Sequence, residues 1–307
     1  MKKLKKLLFK IVFFTIFIML IFRISDIFHS PKDVFPISSM KIYIKASDEV
    51  SKNTLQVNWK YVAAIDAIRI NKDFSKSNME ESKKIANDFI EINNSTKKFK
   101  NSKYQLLSLE EVMNNLSYDD KEKDKVYKFL EFLNDKYLVN VDENKKNFIN
   151  ELTPSAINIY NNYGILPSIT IGQAILESNW GKSDLSSDYN NLFGIKSTKS
   201  WKGKTVKMKT SENYNDTIIA TFRAYASKKD SLDDYAQFLK NNKRYKEHGV
   251  FNAVNYITQA TSIDKAGYST KQDENGKNMY ADLLTQIIRE YNLQLIDSKT
   301  QLDFFKN

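Results

Sequence analysis

The chain has 307 residues, a hydrophobic fraction of 41% and a net charge of +10 at pH 7, which indicates a globular protein with a polyanionic neighbour. It has no cysteine and only two histidines, His29 and His248, so disulfides, thiol nucleophiles and Cys-ligated metals are excluded and a Ser-His-Asp triad is disfavoured. No P-loop, zinc-finger or RNA-binding motif occurs in the sequence, so nucleic acid is not predicted as a partner.

The amino terminus predicts a membrane segment. Basic residues open the chain in MKKLKKLLFK, and an apolar run follows from Ile11 to Phe22. This is the layout of a signal sequence with a positive cytoplasmic end. Because no A-x-A-like cleavage site follows, we interpret residues 1–28 as an uncleaved signal anchor, with a cleaved signal peptide as the alternative. Either interpretation places the bulk of the chain outside the cytoplasm.

Residues 29–52 are interpreted as a linker, because they contain two of the four prolines. A short strand is predicted inside it at Lys41–Lys45. From 53 to 145 apolar residues recur at helical spacing, which predicts a small helical domain of unknown role. Its clearest local signal is SLEE (Ser108–Glu111), a capping box at a helix start.

Residues 147–295 combine helical and strand patterns and are predicted to form a second domain. Helical patterns run over Ser155–Tyr160, Pro167–Trp180, Ser231–Leu239, Phe251–Ile263 and Met279–Tyr291. Between the second and third of these, Val206–Thr210 and Thr217–Tyr225 alternate apolar and polar residues around a turn-forming segment, which predicts a β-hairpin. The predicted fold class is therefore mainly α with a small β-hairpin lobe (α+β).

One carboxylate in an apolar helix stands out. The helix predicted from Pro167 is apolar on both sides, which is typical of a buried helix, with Ser168 as its N-cap and Gly181 as its stop. Glu177 projects between the two apolar sides, in register with Trp180. Burial would raise the pKa of Glu177, as a general acid requires. A structural glutamate held by a salt bridge is the alternative.

A second carboxylate is predicted at the tip of the hairpin. Glu212 there is either a solvated turn residue or the partner of Glu177 across a cleft, since sugar-cleaving sites bring two carboxylates to one bond. Between the two, Asn191, Phe193 and Trp201 supply the amide and aromatic groups that bind sugars. Each of these residues singly also suits a core or a turn.

Three stretches together resemble a known family. They are PSITIGQAILESNWGKSDLSSDYNNLFGIK, TSENYNDTIIATFRAYASKKDSLDDYAQFL and AGYSTKQDENGKNMYADLL. They are similar to the glucosaminidase domains of glycoside hydrolase family 73, cell-wall autolysins that cut peptidoglycan, and the resemblance covers roughly residues 150–293.

The resemblance implies roles for individual residues. Glu177 would be the general acid, Glu212 the second, hairpin-borne glutamate, Tyr268 a cleft tyrosine and Asp234 a structural acidic partner. The sequence departs from the family pattern at two places: Asn213 separates Glu212 from the following tyrosine, and T-K-Q replaces the usual T-D-P after Tyr268. Trp180, Asn191, Phe193, Trp201 and Tyr268 are the predicted substrate-binding residues.

The resemblance also implies a fold and an activity. The fold would be a lysozyme-like catalytic domain, preceded by the small helical domain and the membrane segment. The activity would be an endo-β-N-acetylglucosaminidase that hydrolyses the β-1,4 bond on the reducing side of N-acetylglucosamine, with no metal and no cofactor. The expected partners are peptidoglycan glycan strands, the membrane and anionic wall polymers such as teichoic acids, with the enzyme at the cell membrane or, after cleavage, in the cell wall.

Two alternatives remain open at this point. One is an inactive wall-binding or scaffolding protein that kept the groove. The other is a muramidase or lytic transglycosylase, which cuts the other glycosidic bond of the glycan strand.

Overall fold

A computed structural model describes residues 35–94, 103–136, 142–212, 216–270 and 272–306. The predicted membrane segment at 1–28 lies outside these residues. Within them, no helix combines the length and the apolar character that crossing a membrane requires. The chain divides into two compact units, 1–40 and 41–307, and only 35–40 of the first unit is described.

The described residues are mainly helical. In chain order the α-helices are α1 (Ile37–Ser51), α2 (Trp59–Arg69), α3 (Met79–Asn87), α4 (Leu109–Asn115), α5 (Asp120–Lys136), α6 (Glu143–Tyr163), α7 (Pro167–Ser178), α8 (Asp184–Tyr189), α9 (Lys228–Asn241), α10 (Lys243–Glu247), α11 (Tyr256–Lys265), α12 (Tyr280–Glu290) and α13 (Gln294–Lys306), with 3₁₀ turns at Phe74–Lys76 and Val250–Asn252. Two antiparallel hairpins pair β1 (Ile90–Ile92) with β2 (Tyr104–Leu106) and β3 (Thr205–Glu212) with β4 (Asp216–Arg223). The predicted mainly helical fold with a small hairpin is confirmed, and the finer lysozyme-like architecture stays a prediction.

The described part of the predicted linker is helical. Helix α1 covers the segment at Lys41–Lys45 that we predicted as a strand, so that prediction is wrong. Tyr43, Ala46 and Ser47 are buried, which is the i, i+3, i+4 spacing of a helix face. The alternation of KIYIK fits a strand over five residues only, and the longer helical period decides the structure.

The helices before residue 145 lie in the same compact unit, 41–307, as the helices that follow. Helix α2 packs on α3 and α5, and the capping box predicted at Ser108 is confirmed. The indole nitrogen of Trp59 donates to Oδ1 of Asn292 at 3.0 Å, and Arg289 bonds the buried carboxylate of Asp48 at 2.9 Å. The predicted segments 53–145 and 147–295 therefore lie together in this unit, although their division into separate domains stays a prediction.

Helix α7 is the central helix of the 41–307 unit. It contacts α6, α11, α12 and α13, and every residue from Pro167 to Ile175 is buried. Gly172 allows the close approach of α12, because a Cβ at this position would come within 2.8 Å of Leu284. Proline at the first helical position suits the start of a helix, where its missing N–H costs no hydrogen bond.

The start of α7 is fixed by a distant carboxylate. We predicted Ser168 as the N-cap, but Leu166 occupies that position and Ser168 lies inside the helix. The backbone N–H and the hydroxyl of Ser168 both donate to the carboxylate of Asp297 on α13, which is fully buried. The N-cap prediction is wrong because a tertiary contact satisfies the donors at this helix start.

Candidate active site

Glu177 lies in the last turn of α7. The helix ends at Ser178, because Asn179 and Trp180 adopt φ values of +49° and +62°. Gly181 is therefore not the stop that we predicted. The side chain of Glu177 is exposed, whereas we expected it to be buried, since the buried stretch of the helix ends two residues earlier, at Ile175.

A chain of hydrogen bonds links Glu177 to the interior. The hydroxyl of Tyr280 donates to Oε1 of Glu177 at 2.6 Å. Nε2 of Gln173 donates to the same tyrosine oxygen at 2.9 Å, and the hydroxyl of Tyr235 donates to Oε1 of Gln173. Gln173, Tyr235 and Tyr280 are all buried. The partners of Glu177 are thus held by packing, which fixes the position of one carboxyl oxygen.

The surroundings of Glu177 favour its protonated form. Close protein atoms remove part of its water and raise its pKa above the ordinary value, and the Tyr280 hydrogen bond offsets part of the rise. The side chain as a whole is nevertheless exposed, so a ligand can reach it. The predicted direction of the pKa shift is confirmed, and desolvation is its largest cause.

Tyrosine rings surround this hydrogen-bond chain. The ring of Tyr268 lies 5.1 Å from that of Tyr280, measured between centroids. Burial and then the charge of Glu177 raise the pKa of Tyr268 well above its ordinary range. Phe193 stacks on Tyr235 at 4.0 Å and is itself buried. The structure therefore brings Tyr268 to the site of Glu177, and it places Phe193 behind that site as a packing residue.

Asn191 holds the base of the β3–β4 hairpin. Its amide nitrogen donates to the carbonyls of Ile195 at 3.0 Å and Arg223 at 2.8 Å, and its amide oxygen accepts from the N–H of Ile195 at 3.0 Å. The side chain is 1% exposed, and its three hydrogen bonds leave little capacity for a sugar. We interpret Asn191 as the residue that fixes the hairpin, and its predicted contact with substrate stays a prediction.

The described contacts of both predicted tryptophans are with residues other than Glu177. The ring of Trp180 packs edge-on against Tyr291 at 4.6 Å and Phe148 at 6.0 Å. The indole N–H of Trp201 donates to the Lys204 carbonyl, and the guanidinium of Arg223 lies 4.6 Å from its ring. Both residues are half-buried, so their predicted contact with substrate stays a prediction.

Asp234 takes the structural role that the resemblance implied. It accepts two hydrogen bonds from Arg223, at 2.8 and 2.7 Å, and one from the hydroxyl of Tyr225 at 2.6 Å. These bonds tie α9 to the end of β4. The hairpin is thereby anchored at its base by Asn191 on one side and by Asp234 on the other.

The second predicted carboxylate lies at the end of β3. The backbone of Glu212 pairs with Asp216, but its side chain lies outside the described residues, so a meeting with Glu177 stays a prediction. Among the described residues, no group of three or more histidine, aspartate or glutamate side chains could hold a metal ion.

Sequence reasoning missed Tyr280 and Tyr235. Gln173 precedes Glu177 by one helical turn, and that spacing alone predicts a shared face. The two tyrosines come from α12 and α9, far away in sequence, and only the packing of α7 against its neighbours brings them to Gln173. A buried tyrosine needs a partner for its hydroxyl. This rule predicts a hydrogen bond but does not identify the partner residue.

Comparison with known proteins adds relatives for the segment that carries the site. Residues 153–293 match the sequence model of the glucosaminidase family, described as mannosyl-glycoprotein endo-beta-N-acetylglucosaminidase. The exo-glucosaminidase LytG of Bacillus subtilis (strain 168) is 42% identical over 158 residues, which are 49% of this chain and 52% of LytG. A probable N-acetylmuramidase of Lactococcus lactis subsp. lactis (strain IL1403) is 39% identical over 159 residues, which are 49% of this chain and 34% of that protein.

The chain thus spans about half or less of the length of these two relatives, and their names differ in the sugar whose bond is cut. Among solved structures, the catalytic domain of the autolysin Auto from Listeria monocytogenes is 29% identical, with a TM-score of 0.43, and the match covers 58% of this chain and 98% of that domain.

Proposed function

We propose that the protein is a peptidoglycan hydrolase of glycoside hydrolase family 73 with Glu177 as its general acid, which the match of residues 153–293 to the glucosaminidase family model supports. The bond cut is the β-1,4 linkage on the reducing side of N-acetylglucosamine. One observation carries this proposal: Glu177 is exposed, its pKa is raised, and one of its oxygens is fixed by the buried Tyr280. A protonated, accessible and positioned carboxyl is what leaving-group protonation requires.

The proposed reaction begins with proton transfer. Glu177 gives its proton to the glycosidic oxygen as the bond from that oxygen to the anomeric carbon breaks, leaving an oxocarbenium-like centre. The resulting carboxylate of Glu177 keeps the hydrogen bond from Tyr280, which stabilises the negative charge. Water then adds to the anomeric carbon and releases a proton, so the products are two shorter glycans.

Two routes for the second half stay open. The substrate's own acetamido carbonyl can attack the anomeric carbon, with Glu212 stabilising the charge that develops. Alternatively, Glu212 can act as the base for a water molecule, which inverts the anomeric centre. The position of Glu212 at the end of β3 is compatible with both routes. Tyr268, beside Tyr280, is the described ring that we place against the sugar bound next to Glu177.

The setting of this reaction is the cell wall. A peptidoglycan hydrolase works outside the cytoplasm, and the basic, apolar start of the chain suits either an anchor in the membrane or a signal for secretion. Glycan strands are the proposed substrate. The net charge of +10 favours association with a wall that carries anionic polymers.

A second candidate function is a muramidase. It is supported by the likeness to a probable N-acetylmuramidase of Lactococcus lactis. The chemistry at Glu177 would be the same, but the glycan would be displaced by one sugar in the groove. A scaffold without activity would instead bind walls and cut nothing.

Incubation with purified peptidoglycan, followed by borohydride reduction and mass spectrometry, separates these functions. Reduced N-acetylglucosamine ends, absent with Glu177→Gln, are the expected result. Reduced N-acetylmuramic acid ends would establish the muramidase function, anhydro ends a lytic transglycosylase, and tight binding without new ends the scaffold. Lysis at the wild-type rate by Glu177→Gln would rule out Glu177 as the acid.

The same assay tests the second glutamate. We expect Glu212→Gln to reduce the rate of lysis by more than about tenfold, or roughly 1.4 kcal/mol of barrier. A smaller loss would make Glu212 a structural turn residue. Glu274→Gln, at an exposed position of a loop, serves as the matched control and should leave the rate unchanged.

A further inference from the structure

The β3–β4 hairpin and the loop before it carry a dense set of positive charges. Six lysines and no aspartate or glutamate lie between residues 189 and 211. These are Lys196, Lys199, Lys202, Lys204, Lys207 and Lys209, and all six are exposed. Some lysines elsewhere in the described chain have carboxylate partners, as Lys83 has Glu49 at 2.7 Å and Lys228 has Glu151 at 2.6 Å.

The lysines of this hairpin are distinguished by their density without an acidic residue among them. Within the described residues, Lys202, Lys204, Lys207 and Lys209 form no ion pair with a carboxylate. Like charges this close repel each other, and only water and dissolved ions screen them. A concentration of unpaired charge on one strand and its loop therefore calls for an external anion.

The pairing of the hairpin puts two of the lysines on its outer face. Lys207 and Lys209 alternate with Val206 and Met208 along β3, so the two lysines share one face of the strand. They lie opposite Thr221 and Ile219 of β4. Ile219 is 70% exposed, whereas Ala220 and Phe222, which point to the other face, are buried. The lysine-bearing face is therefore the solvent face.

The framework behind this face is fixed. Asn191 bonds the carbonyls of Ile195 and Arg223 at the base of the hairpin, and Asp234 bonds the Arg223 guanidinium. The lysines are thus presented from a stationary base next to the segment that carries Phe193. A long anion bound to these lysines would lie along the hairpin whose strand β3 ends at Glu212.

We propose that Lys207 and Lys209 on the outer face of β3, together with the exposed Lys202 and Lys204 of the loop before it, bind a phosphodiester-linked polyanion of the cell wall; these four residues are here called the lysine face. The proposal rests on the proposed function for its setting. Lysine ammonium groups are compact point charges that bind phosphate without demanding one geometry. Side chains two residues apart on a strand repeat at roughly 7 Å, so Lys207 and Lys209 offer two charges in a row to a linear polymer, and the exposed Lys202 and Lys204 add charge from the loop before β3.

A membrane surface fits this face less well. Peripheral membrane segments combine basic residues with Trp, Phe and Leu that enter the lipid. On the described outer face of the hairpin, Ile219 is the strongly exposed apolar residue, and one isoleucine buries too little surface to anchor a protein. Charge without an apolar anchor favours a soluble polymer.

The test is wall binding by the full chain in a Glu177→Gln background, so that the wall is not digested. The probes are purified walls before and after hydrofluoric acid treatment, which removes phosphodiester polymers. The variant Lys202→Gln/Lys204→Gln/Lys207→Gln/Lys209→Gln should bind untreated walls about tenfold more weakly or worse at about 50 mM salt, with a shallower loss of affinity as salt rises. It should bind treated walls like the parent.

A matched control removes four exposed lysines elsewhere: Lys52→Gln/Lys121→Gln/Lys125→Gln/Lys243→Gln. Unchanged wall binding by this control supports the proposal. An equal loss by the control would show that net charge alone acts, and an equal loss on treated walls would show that the face binds glycan. Unchanged wall binding by the four-lysine variant, together with a loss of its binding to phosphatidylglycerol vesicles relative to the parent, would assign the face to membranes. Each of these three results overturns the proposal.

Failure of the proposed function can be recognised separately. With Glu177 intact, the four-lysine variant should release soluble glycan fragments from treated walls at the wild-type rate. If neither protein releases fragments, the proposed hydrolase function fails while the comparison of wall binding still stands.

Discussion

The hydroxyl of Tyr280 lies 2.6 Å from Oε1 of Glu177 and donates a hydrogen bond to it. This bond stabilises the carboxylate, whereas the desolvation by nearby protein atoms stabilises the protonated acid. The two effects act in opposite directions on one pKa. The raised pKa favours the protonated acid. The carboxylate that forms when Glu177 donates its proton is stabilised by the hydrogen bond from Tyr280.

Tyr280→Phe should shift the pH profile of hydrolysis. Without the donor the pKa of Glu177 rises, so the alkaline limb of kcat/KM should move to higher pH, because a general acid must be protonated to act. The rate at the optimum should fall about tenfold, since a hydrogen bond to a charged group contributes about 1.5 kcal/mol.

Tyr225→Phe is the control for this prediction. It removes a hydroxyl that donates to Asp234 at the same distance of 2.6 Å but is not bonded to Glu177. The alkaline limb of the kcat/KM profile of Tyr225→Phe should stay at the pH of the wild type. A limb that moves to lower pH in Tyr280→Phe, or does not move, would contradict the assigned role of the Tyr280 hydrogen bond.

Asp297 should make stability depend on pH. Burial raises its pKa to about 7, and its bonds from Ser168 offset part of the rise. The folded protein therefore holds a proton that the unfolded chain releases near pH 4, so stability falls as the pH rises from about 4 to about 7 and is constant above. The full effect is on the order of 4 kcal/mol.

Urea unfolding of Asp297→Asn and wild type at several pH values measures this effect. The wild type minus variant difference in unfolding free energy should decrease between about pH 4 and about pH 7, since the variant lacks the titrating group. Asp282→Asn, at an exposed position paired with Lys277, should show no such trend. A difference that stays constant over this range would show that the buried carboxylate is ionised throughout.

Asn191→Ala should act on stability. The change leaves the buried N–H of Ile195 without its amide partner and removes one donor from the carbonyls of Ile195 and Arg223; the Ile195 carbonyl keeps the N–H of Arg223. An unsatisfied buried group costs about 1–3 kcal/mol, so the unfolding free energy should fall by roughly 2 kcal/mol. Denaturation measured beside KM decides between roles: an unchanged stability with a raised KM would indicate direct contact with the glycan.

Lys60→Met should stabilise the protein near neutral pH. Lys60 is 4% exposed, its Nζ bonds the amide oxygen of Asn134 at 3.0 Å, and burial lowers its pKa to about 8. The folded state therefore disfavours the charged form, and stability rises with pH between about 8 and about 10.5 as the unfolded chain alone keeps the proton.

The gain in unfolding free energy for Lys60→Met at pH 7 should be about 1–2 kcal/mol, after the loss of the Asn134 bond. The gain should shrink at pH 10, where wild-type Lys60 is neutral in the folded state. Thermal or urea unfolding at both pH values checks this, with the exposed Lys121→Met as the control. A destabilised variant at pH 7 would indicate that the ammonium has a stronger partner than Asn134.

Local signals predicted much of the fold. The helices around the site, the β3–β4 hairpin and the capping box at Ser108 follow from periodicity and from short-range hydrogen bonds, which depend on neighbours in sequence. Where a local pattern fitted two periods, as at Lys41–Lys45, the prediction was wrong, because the buried residues of α1 follow the longer helical repeat.

The roles of individual residues depended on the tertiary structure. The sequence determined that Glu177 sits in an apolar helix and that Asn191 and Phe193 belong to the same functional segment. Only the fold decided that Asn191 and Phe193 face inward, and that Tyr280 rather than Trp180 accompanies Glu177. A hydrogen bond or a ring contact between distant segments depends on how the helices pack. The apolar periodicity of one helix does not specify which residues of other helices lie against it.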